Sequence, residues 1–286
     1  MLFMRSHRNF VTLSFFLLLI SLGLLQAEDI KPEDLVARHL DAIGTATARK
    51  GLTSRVVQGG ATYRVIVGGS GAIDGKYVFA SEGLRSNILL KINASSYHGE
   101  QFTCDGNKAS VAGTWSDKTR SEFGEFVLAQ DILLKDNLLG GVWSTGWPLL
   151  DLEGHRPKLH SVGRKKIDGK ELLALRYQPK RSTDLEITMY FDPKTYQHVG
   201  TIYTVQPPRS IEGGETGQAM QQQKRYSLEE RFSEFQTVDG LTLPTHYDLR
   251  YTLETETGQS KLIEWEVRAL NISNNISIDP RSFQVK

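Results

Sequence analysis

The segment from Leu241 to Glu254, LTLPTHYDLRYTLE, alternates between apolar and polar positions almost without interruption. Successive side chains of a β-strand point to opposite faces, so this alternation predicts a strand with one apolar and one polar face. At fourteen residues the segment exceeds the usual length of about 5 to 6 residues. The pattern therefore predicts a long strand in a sheet that has an extensive apolar face.

Shorter alternating segments, rich in Val, Ile, Tyr and Phe, occupy most of the remaining chain and are separated by glycine-containing turns. Tight turns are predicted at Asp74-Gly75, Asp105-Gly106, Asp168-Gly169 and Asp192-Pro193-Lys194, and a hairpin turn is predicted at residues 68–71. The count is roughly ten to twelve strands. Because almost no helix lies between them, neighbouring strands should be antiparallel.

Helical periodicity appears in two places. In the segment from Lys31 to Gly44, apolar positions fall along one stripe after Pro32 and two acidic residues, which predicts an amphipathic helix. From Asp117 to Leu139 the apolar positions also recur at helical spacing, with Asp117 as the expected cap and Gly140 as the expected end. A loop with Gly and Trp follows.

A sheet of this size splits, flattens or curls. We predict a mainly β (α+β) fold in which a strongly curved antiparallel sheet forms an incomplete β-barrel, with two or more helices as a lid over an apolar cavity. Acidic residues on the late strands are expected to face solvent: Glu229, Glu230, Glu234, Glu264 and Glu266. Residues expected to face inward, besides the apolar positions from Leu241 onward, are Ile187, Met189, Val199, Tyr203, Ile263, Trp265 and Val267.

The first 27 residues place Arg5, His7 and Arg8 before an apolar run that closes at Ala27. This arrangement is typical of a secretory signal peptide cleaved after about Ala27, although an uncleaved membrane anchor remains open. No cysteine lies near the cleavage point, which excludes a lipid-modified N-terminus. Residues 28–286 are then expected to form one exported domain.

Charge and cysteine content limit which ligands and which covalent links the protein is expected to have. The formal net charge is +1, and loss of Arg5 and Arg8 with the signal peptide makes it −1. A chain with this charge is not expected to have a strong positive electrostatic field that attracts nucleic acid. Cys104 is the single cysteine, so no internal disulfide can form. We expect Cys104 to be a small buried apolar residue, while a nucleophile or an intermolecular bridge is the alternative.

No motif points to catalysis. His155 and His160 lie near Asp151 and Glu153, but the segment lacks the helical histidine spacing of a zinc protease. The glycine-rich residues 68–71 are not followed by a helix that could accept a phosphate. No nucleophile elbow, P-loop or Cys-His pair appears. We therefore expect a protein that is not an enzyme and has no cofactor or metal.

The order of elements resembles a known superfamily. An early helix ending in AIG, the strand RVVQGGATYRV, a central helical segment, the hairpin YFDPKTYQHVG and the pair FSEFQTVDGLTLPTHYDL are similar to the periplasmic lipoprotein-carrier superfamily. This superfamily contains the lipoprotein-sorting proteins LolA and LolB. The resemblance covers most of residues 32–286 and implies an incomplete barrel whose cavity holds acyl chains.

The resemblance also implies a function. It implies a periplasmic carrier or sensor that binds a lipid or lipidated protein, with an envelope protein as a further partner and transient contact with a membrane. The alternative is a β-rich interaction or scaffold module whose core is filled and binds no ligand. The side chains below are candidates for lining or gating the cavity, and ordinary core packing is the alternative for them: Phe123, Phe126, Leu133, Leu134, Trp143, Trp147, Met189, Tyr247, Leu249 and Trp265.

Overall fold

The computed structural model describes residues 30–95, 97–115, 118–205, 225–255 and 258–285. The signal peptide predicted for residues 1–27 and the helix cap predicted at Asp117 lie outside these ranges.

Twelve strands of the described chain form one antiparallel sheet. The strands follow one another in order from β1 to β5 and from β6 to β12, and β1 pairs with β12 to join the two series. The bounds are β1 Ser54–Val67, β2 Ala72–Glu82, β3 Arg85–Lys91, β4 Gly99–Asp105, β5 Ala109–Gly113, β6 Lys158–Ile167, β7 Lys170–Gln178, β8 Leu185–Phe191, β9 His198–Val205, β10 Arg225–Val238, β11 Leu241–Glu254 and β12 Ser260–Asn274.

The sheet does not close into a barrel. Its order is β5-β4-β3-β2-β1-β12-β11-β10-β9-β8-β7-β6, so β5 and β6 form its two edges and do not pair with each other in the described structure. The predicted fold class, a mainly β incomplete barrel accompanied by helices, is confirmed.

The helices are few and short. They are α1 Pro32–Ile43, α2 Ala46–Lys50, α3 Glu122–Ala129, α4 Ile132–Lys135 and α5 Leu152–His155. The first predicted helix is confirmed as α1. The continuous helix predicted from Asp117 to Leu139 is wrong: Ser121 caps α3, and the helix stops at Gln130, whose φ of −101° and ψ of 52° are not helical. The apolar spacing continues past this break, which is why it suggested one long helix.

The alternation that defines β11 is confirmed, because its predicted apolar positions are buried apart from the half-buried Thr245. The expectation that Val199 faces inward is wrong, since Val199 is only half-buried while His198 is buried. A register shift at Tyr190/Phe191 pairs Phe191 with His198 and reverses the expected alternation there.

Four of the predicted turns are confirmed and one is wrong. The turns at residues 68–71, Asp105-Gly106, Asp168-Gly169 and Asp192-Pro193-Lys194 lie between consecutive strands, as expected. Asp74-Gly75 is not a turn but lies inside β2. A Cβ at position 75 would lie 2.3 Å from the Lys91 carbonyl oxygen, so glycine serves close backbone approach there rather than a turn.

The convex face of the sheet carries ion pairs. Arg64 pairs with Glu264 at 3.2 Å and with Glu266 at 2.6 Å, and Arg250 Nε lies 2.6 Å from Glu264. These pairs agree with the expected solvent-facing acids, with one exception. Glu230 is fully buried on the concave side, which corrects the expectation that it faces solvent.

No described helix is both long enough and apolar enough to cross a membrane. Cys104 is a free, fully buried thiol, and burial raises its pKa, so the prediction of a small buried apolar residue is confirmed.

Candidate functional site

The chain between β5 and β6 crosses the concave face from one edge of the sheet to the other. We call residues 118–157 of this connection the strap. It contains α3, α4, a 3-10 turn at Gly141–Trp143 and α5. Because the strap starts at one edge strand and ends at the other, it covers the apolar face that the long strands present.

The structure places every candidate lining residue in the interior. All ten are at most 6% exposed and belong to one hydrophobic core. Four of them, Phe123, Tyr247, Leu249 and Trp265, surround the same small space between the strap and the sheet. Phe126, Leu133, Leu134, Trp143, Trp147 and Met189 lie elsewhere in the same core.

The apolar cavity predicted beneath the helical lid is absent from the described structure at this place. The space among Phe123, Tyr247, Leu249 and Trp265 has a volume of about 10 Å³. A single water needs roughly 10 to 15 Å³, so an acyl chain does not fit. The strap itself fills the concave face, because its bulky side chains insert where an empty space was expected.

Aromatic contacts hold α3 against the sheet. The Phe123 ring centroid lies 4.6 Å from that of Trp265, 5.3 Å from Phe102 and 5.6 Å from Tyr251. The Phe126 ring stacks on Tyr226 at 5.6 Å. We call residues 122–135 the apolar half of the strap, because its buried residues are all apolar.

The next residues of the strap are held by hydrogen bonds, and we call residues 136–147 the pinned half. The Asn137 amide donates to the Leu84 carbonyl at 3.1 Å, and Trp143 Nε1 donates to the Pro244 carbonyl at 2.9 Å. The buried Arg55 guanidinium donates to the carbonyl of Val142.

Two further contacts attach the pinned half to β2. The Thr145 backbone N–H donates to Ser81 Oγ at 2.9 Å, and the Oγ atoms of Ser81 and Ser144 lie 3.3 Å apart. Because these groups are removed from water, losing a partner would leave a buried donor or acceptor unsatisfied. The pinned half therefore has specific partners that an apolar ligand cannot replace.

Glu230 is the centre of this polar attachment. Its Oε1 accepts from the Gly140 backbone N–H at 2.7 Å and from Tyr247 Oη at 2.8 Å, and its Oε2 accepts from Tyr203 Oη at 2.7 Å. Burial raises the pKa of Glu230 to about 7, although the three hydrogen bonds favour the charged form. Glu230 is thus a buried carboxyl that can gain or lose a proton near neutral pH.

The proton on Glu230 affects the strap through Tyr203. Tyr203 Oη lies 2.7 Å from Glu230 Oε2 and 3.2 Å from the carbonyl oxygen of Leu138, yet its single proton can serve only one of them. Ionised Glu230 accepts that proton. Protonated Glu230 can instead donate to Tyr203, which then donates to Leu138 in the strap.

Two buried histidines lie at the far end of the pinned half. The rings of His39 and His198 lie 5.3 Å and 4.8 Å from Trp147. Burial lowers the pKa of His39 to about 4 and lowers the pKa of His198 well below its ordinary value, so both are neutral at pH 7. Both histidines pack against the Trp147 ring as neutral aromatic side chains.

A metal centre is not supported within the described residues, where no group of three or more His, Cys, Asp or Glu side chains is arranged to hold a metal ion. His155 Nε2 lies 3.1 Å from the Gly146 carbonyl oxygen inside the strap, whereas His160 is exposed on β6.

Sequence reasoning missed the polar side chains that hold the strap. Glu230 could have been found, because it alternates with Leu228 and Phe232 and so shares their inward face. Arg55 and Ser81 also lie on the sheet, but their role depends on which part of the strap faces them, and no local pattern in the sequence indicates that.

The chain was compared with known families, curated proteins and solved structures. No family model and no curated protein matches it. Among solved structures it is similar to a LolA superfamily protein from Nitrosomonas europaea, with 11% identity, a TM-score of 0.44, and coverage of 90% of this chain and 98% of that chain.

Two further solved structures are similar. One is a putative outer membrane lipoprotein-sorting protein domain from Vibrio parahaemolyticus, with 10% identity, a TM-score of 0.45, and coverage of 88% of this chain and 97% of that chain. The other is the Pseudomonas aeruginosa MucA/MucB complex, with 11% identity, a TM-score of 0.24, and coverage of 85% and 100%.

Proposed function

We propose that this chain is an exported envelope protein that binds the acyl chain of a lipid or lipoprotein on the concave face of its sheet, after the apolar half of the strap moves aside. One observation carries the proposal. Between residues 122 and 135, the one direct hydrogen bond to the sheet in the described structure joins Lys261 to Glu122 at 2.9 Å, and both side chains are partly exposed. The preceding cap residue, Ser121, stays attached to Glu100 of β4 by two hydrogen bonds of 2.8 and 2.9 Å, so the movement begins after it.

Burying the apolar half of the strap and burying a long acyl chain on the concave face yield comparable free energies. Exposing the six buried apolar side chains of α3 and α4 would cost roughly 9 to 18 kcal/mol, and a sixteen-carbon chain would recover about 13 kcal/mol at about 0.8 kcal/mol per methylene. An eight-carbon chain would recover about half as much. A long acyl chain can therefore replace the apolar half, whereas a short one cannot.

The cellular setting is part of the proposal. The charged and apolar pattern of residues 1–27 supports export. A closed interior would keep the protein soluble without cargo. These features support the proposal of a carrier or sensor in the periplasm.

The test is binding by the protein purified after export. Native mass spectrometry of the freshly purified and of the delipidated protein, followed by titration with palmitate, should show one bound acyl chain per molecule. Octanoate is the matched control ligand and should not bind measurably under the same conditions. A protein that emerges without lipid, and binds neither palmitate nor a lysophospholipid saturably, would contradict the proposal.

That contrary result would support the second candidate, a β-rich interaction module with a filled core. The observation in its favour is the space of about 10 Å³ that remains between the strap and the sheet. In that case the ten candidate residues are core residues alone.

A further inference from the structure

A cleft lies near the β6 edge of the sheet, far along the strand order from β5. It has a volume of about 490 Å³ and is formed where the start of β6, the end of β7, the β7–β8 loop at residues 179–184 and the start of β8 meet. No residue of the apolar half of the strap lines this cleft.

The lining of the cleft is strongly basic. Five cationic side chains and one carboxylate, that of Glu186, contribute to it. The cations are Arg156, Lys158, Arg176, Lys180 and Arg181. The formal charge of the whole chain is only +1, so this is a local concentration of positive charge.

The cations have few carboxylate partners. Arg176 lies 4.0 Å from Glu186, which is the one ion pair that the five cations make with described residues within that distance. Arg156 Nε donates to the neutral carbonyl of Glu153 at 3.2 Å. Burial raises the pKa of Asp136, and the charge of Arg181 opposes that rise without a direct ion pair. The positive charge of the cleft is therefore largely uncompensated.

The opposite side of the same loop provides a comparison. A second cleft of about 580 Å³ shares Arg181, Ser182 and Thr183 but adds two carboxylates, Asp131 and Asp184, and one lysine. Its cationic and acidic side chains are equal in number. Because one loop borders both clefts, loop composition alone does not explain the basic character of the first.

We propose that the basic cleft binds a phosphate-bearing ligand, either a soluble phosphate compound or the headgroup of a phospholipid. Guanidinium groups match the geometry of phosphate oxygens in two parallel hydrogen bonds, and lysines add point charges. Arg156, Arg176 and Arg181 supply such groups around one space, and Lys158 and Lys180 surround them. A ligand with more than one negative charge would use several of these cations together.

The test compares two variants that each lose two positive charges. Lys180→Gln/Arg181→Gln removes cations of the cleft, whereas Lys165→Gln/Lys166→Gln removes exposed cations of β6 outside it. Titration calorimetry with pyrophosphate at physiological salt should show saturable binding that the first variant weakens about tenfold and the second changes less than about twofold. Equal weakening by both variants, or no saturable binding by the unmodified protein, would overturn the proposal.

Vesicles separate the two sources of phosphate. Sedimentation with phosphatidylcholine vesicles, with and without phosphatidic acid, shows whether the cleft recognises a headgroup. Binding to phosphatidic acid that pyrophosphate displaces supports a lipid headgroup, whereas pyrophosphate binding without vesicle binding supports a soluble ligand. Because no residue of the apolar half lines the cleft, failure of this test leaves palmitate binding on the concave face unaffected, and the two failures are distinguishable.

Discussion

The two halves of the strap cover the same sheet by different means. The apolar half contacts it through rings and aliphatic side chains, with Phe123 on Trp265 as the tightest aromatic contact measured there. The pinned half makes hydrogen bonds from Asn137, Gly140, Trp143 and Thr145 to the sheet.

The difference determines what could replace each half. Apolar contacts are not directional, so an acyl chain can substitute for Phe123 or Leu133 with little loss. A buried hydrogen bond needs a partner of matching polarity, and an acyl chain offers none. The comparison therefore assigns opening to the apolar half and attachment to the pinned half.

The largest expected effect comes from shortening Phe123. Phe123→Ala removes a ring that is 1% exposed and should lower the free energy of unfolding by about 3 to 5 kcal/mol. If acyl chains bind where this ring lies, dodecanoate should restore much of the lost stability, because a ligand of the folded state raises the melting temperature. Calorimetric melting with and without dodecanoate measures both effects.

Leu149→Ala is the control for that experiment. Leu149 is fully buried and lies outside the apolar half, and its truncation should cost about 2 to 5 kcal/mol. Dodecanoate should leave this variant unchanged. Equal recovery of both variants would mean that any cavity binds the ligand and that the apolar half has no special role.

A smaller effect is expected from the proton on Glu230. Its pKa of about 7 in the folded protein lies above the ordinary value of 4.5, so the stabilising contribution is complete below about pH 4.5 and is lost as pH rises to about 7. The loss is about 3 kcal/mol. Glu230→Gln cannot ionise and should remove this part of the pH dependence, as measured by denaturant unfolding from pH 4.5 to 8.

The difference between the unfolding curves of the two proteins is the informative quantity. The variant should gain stability relative to the unmodified protein as pH rises, and the gain should level off above about pH 7. Parallel curves would show that Glu230 is not the titrating group in the pinned half.

The smallest expected effect comes from fixing the pinned half in place. The Oγ atoms of Ser81 and Ser144 lie 3.3 Å apart, so Ser81→Cys/Ser144→Cys should form a disulfide, in a background with Cys104→Ala to prevent mispairing. Palmitate affinity of the oxidised form should stay within about twofold of the reduced form. Loss of binding on oxidation, restored by dithiothreitol, would show that the pinned half must also move.

Particular residues show how far sequence reasoning reached. The alternation of Leu241 to Glu254 correctly predicted β11 and its inward face. The same rule would have placed Glu230 inward beside Leu228 and Phe232, but its charge suggested solvent. At Val199 the rule itself failed, because the register shift beside Phe191 depends on the pairing of β8 with β9.

The sequence by itself determined the antiparallel sheet, its long final strands and its apolar face, because strand alternation and turns follow from local backbone geometry. Only the tertiary structure decided whether that face encloses a space. The strap runs between strands at opposite edges of the sheet, so the contacts that fill the concave face join residues distant in sequence. Local periodicity does not specify such contacts. The hydrogen-bond partners of Glu230 and Trp143 are determined by the position of the strap across the sheet.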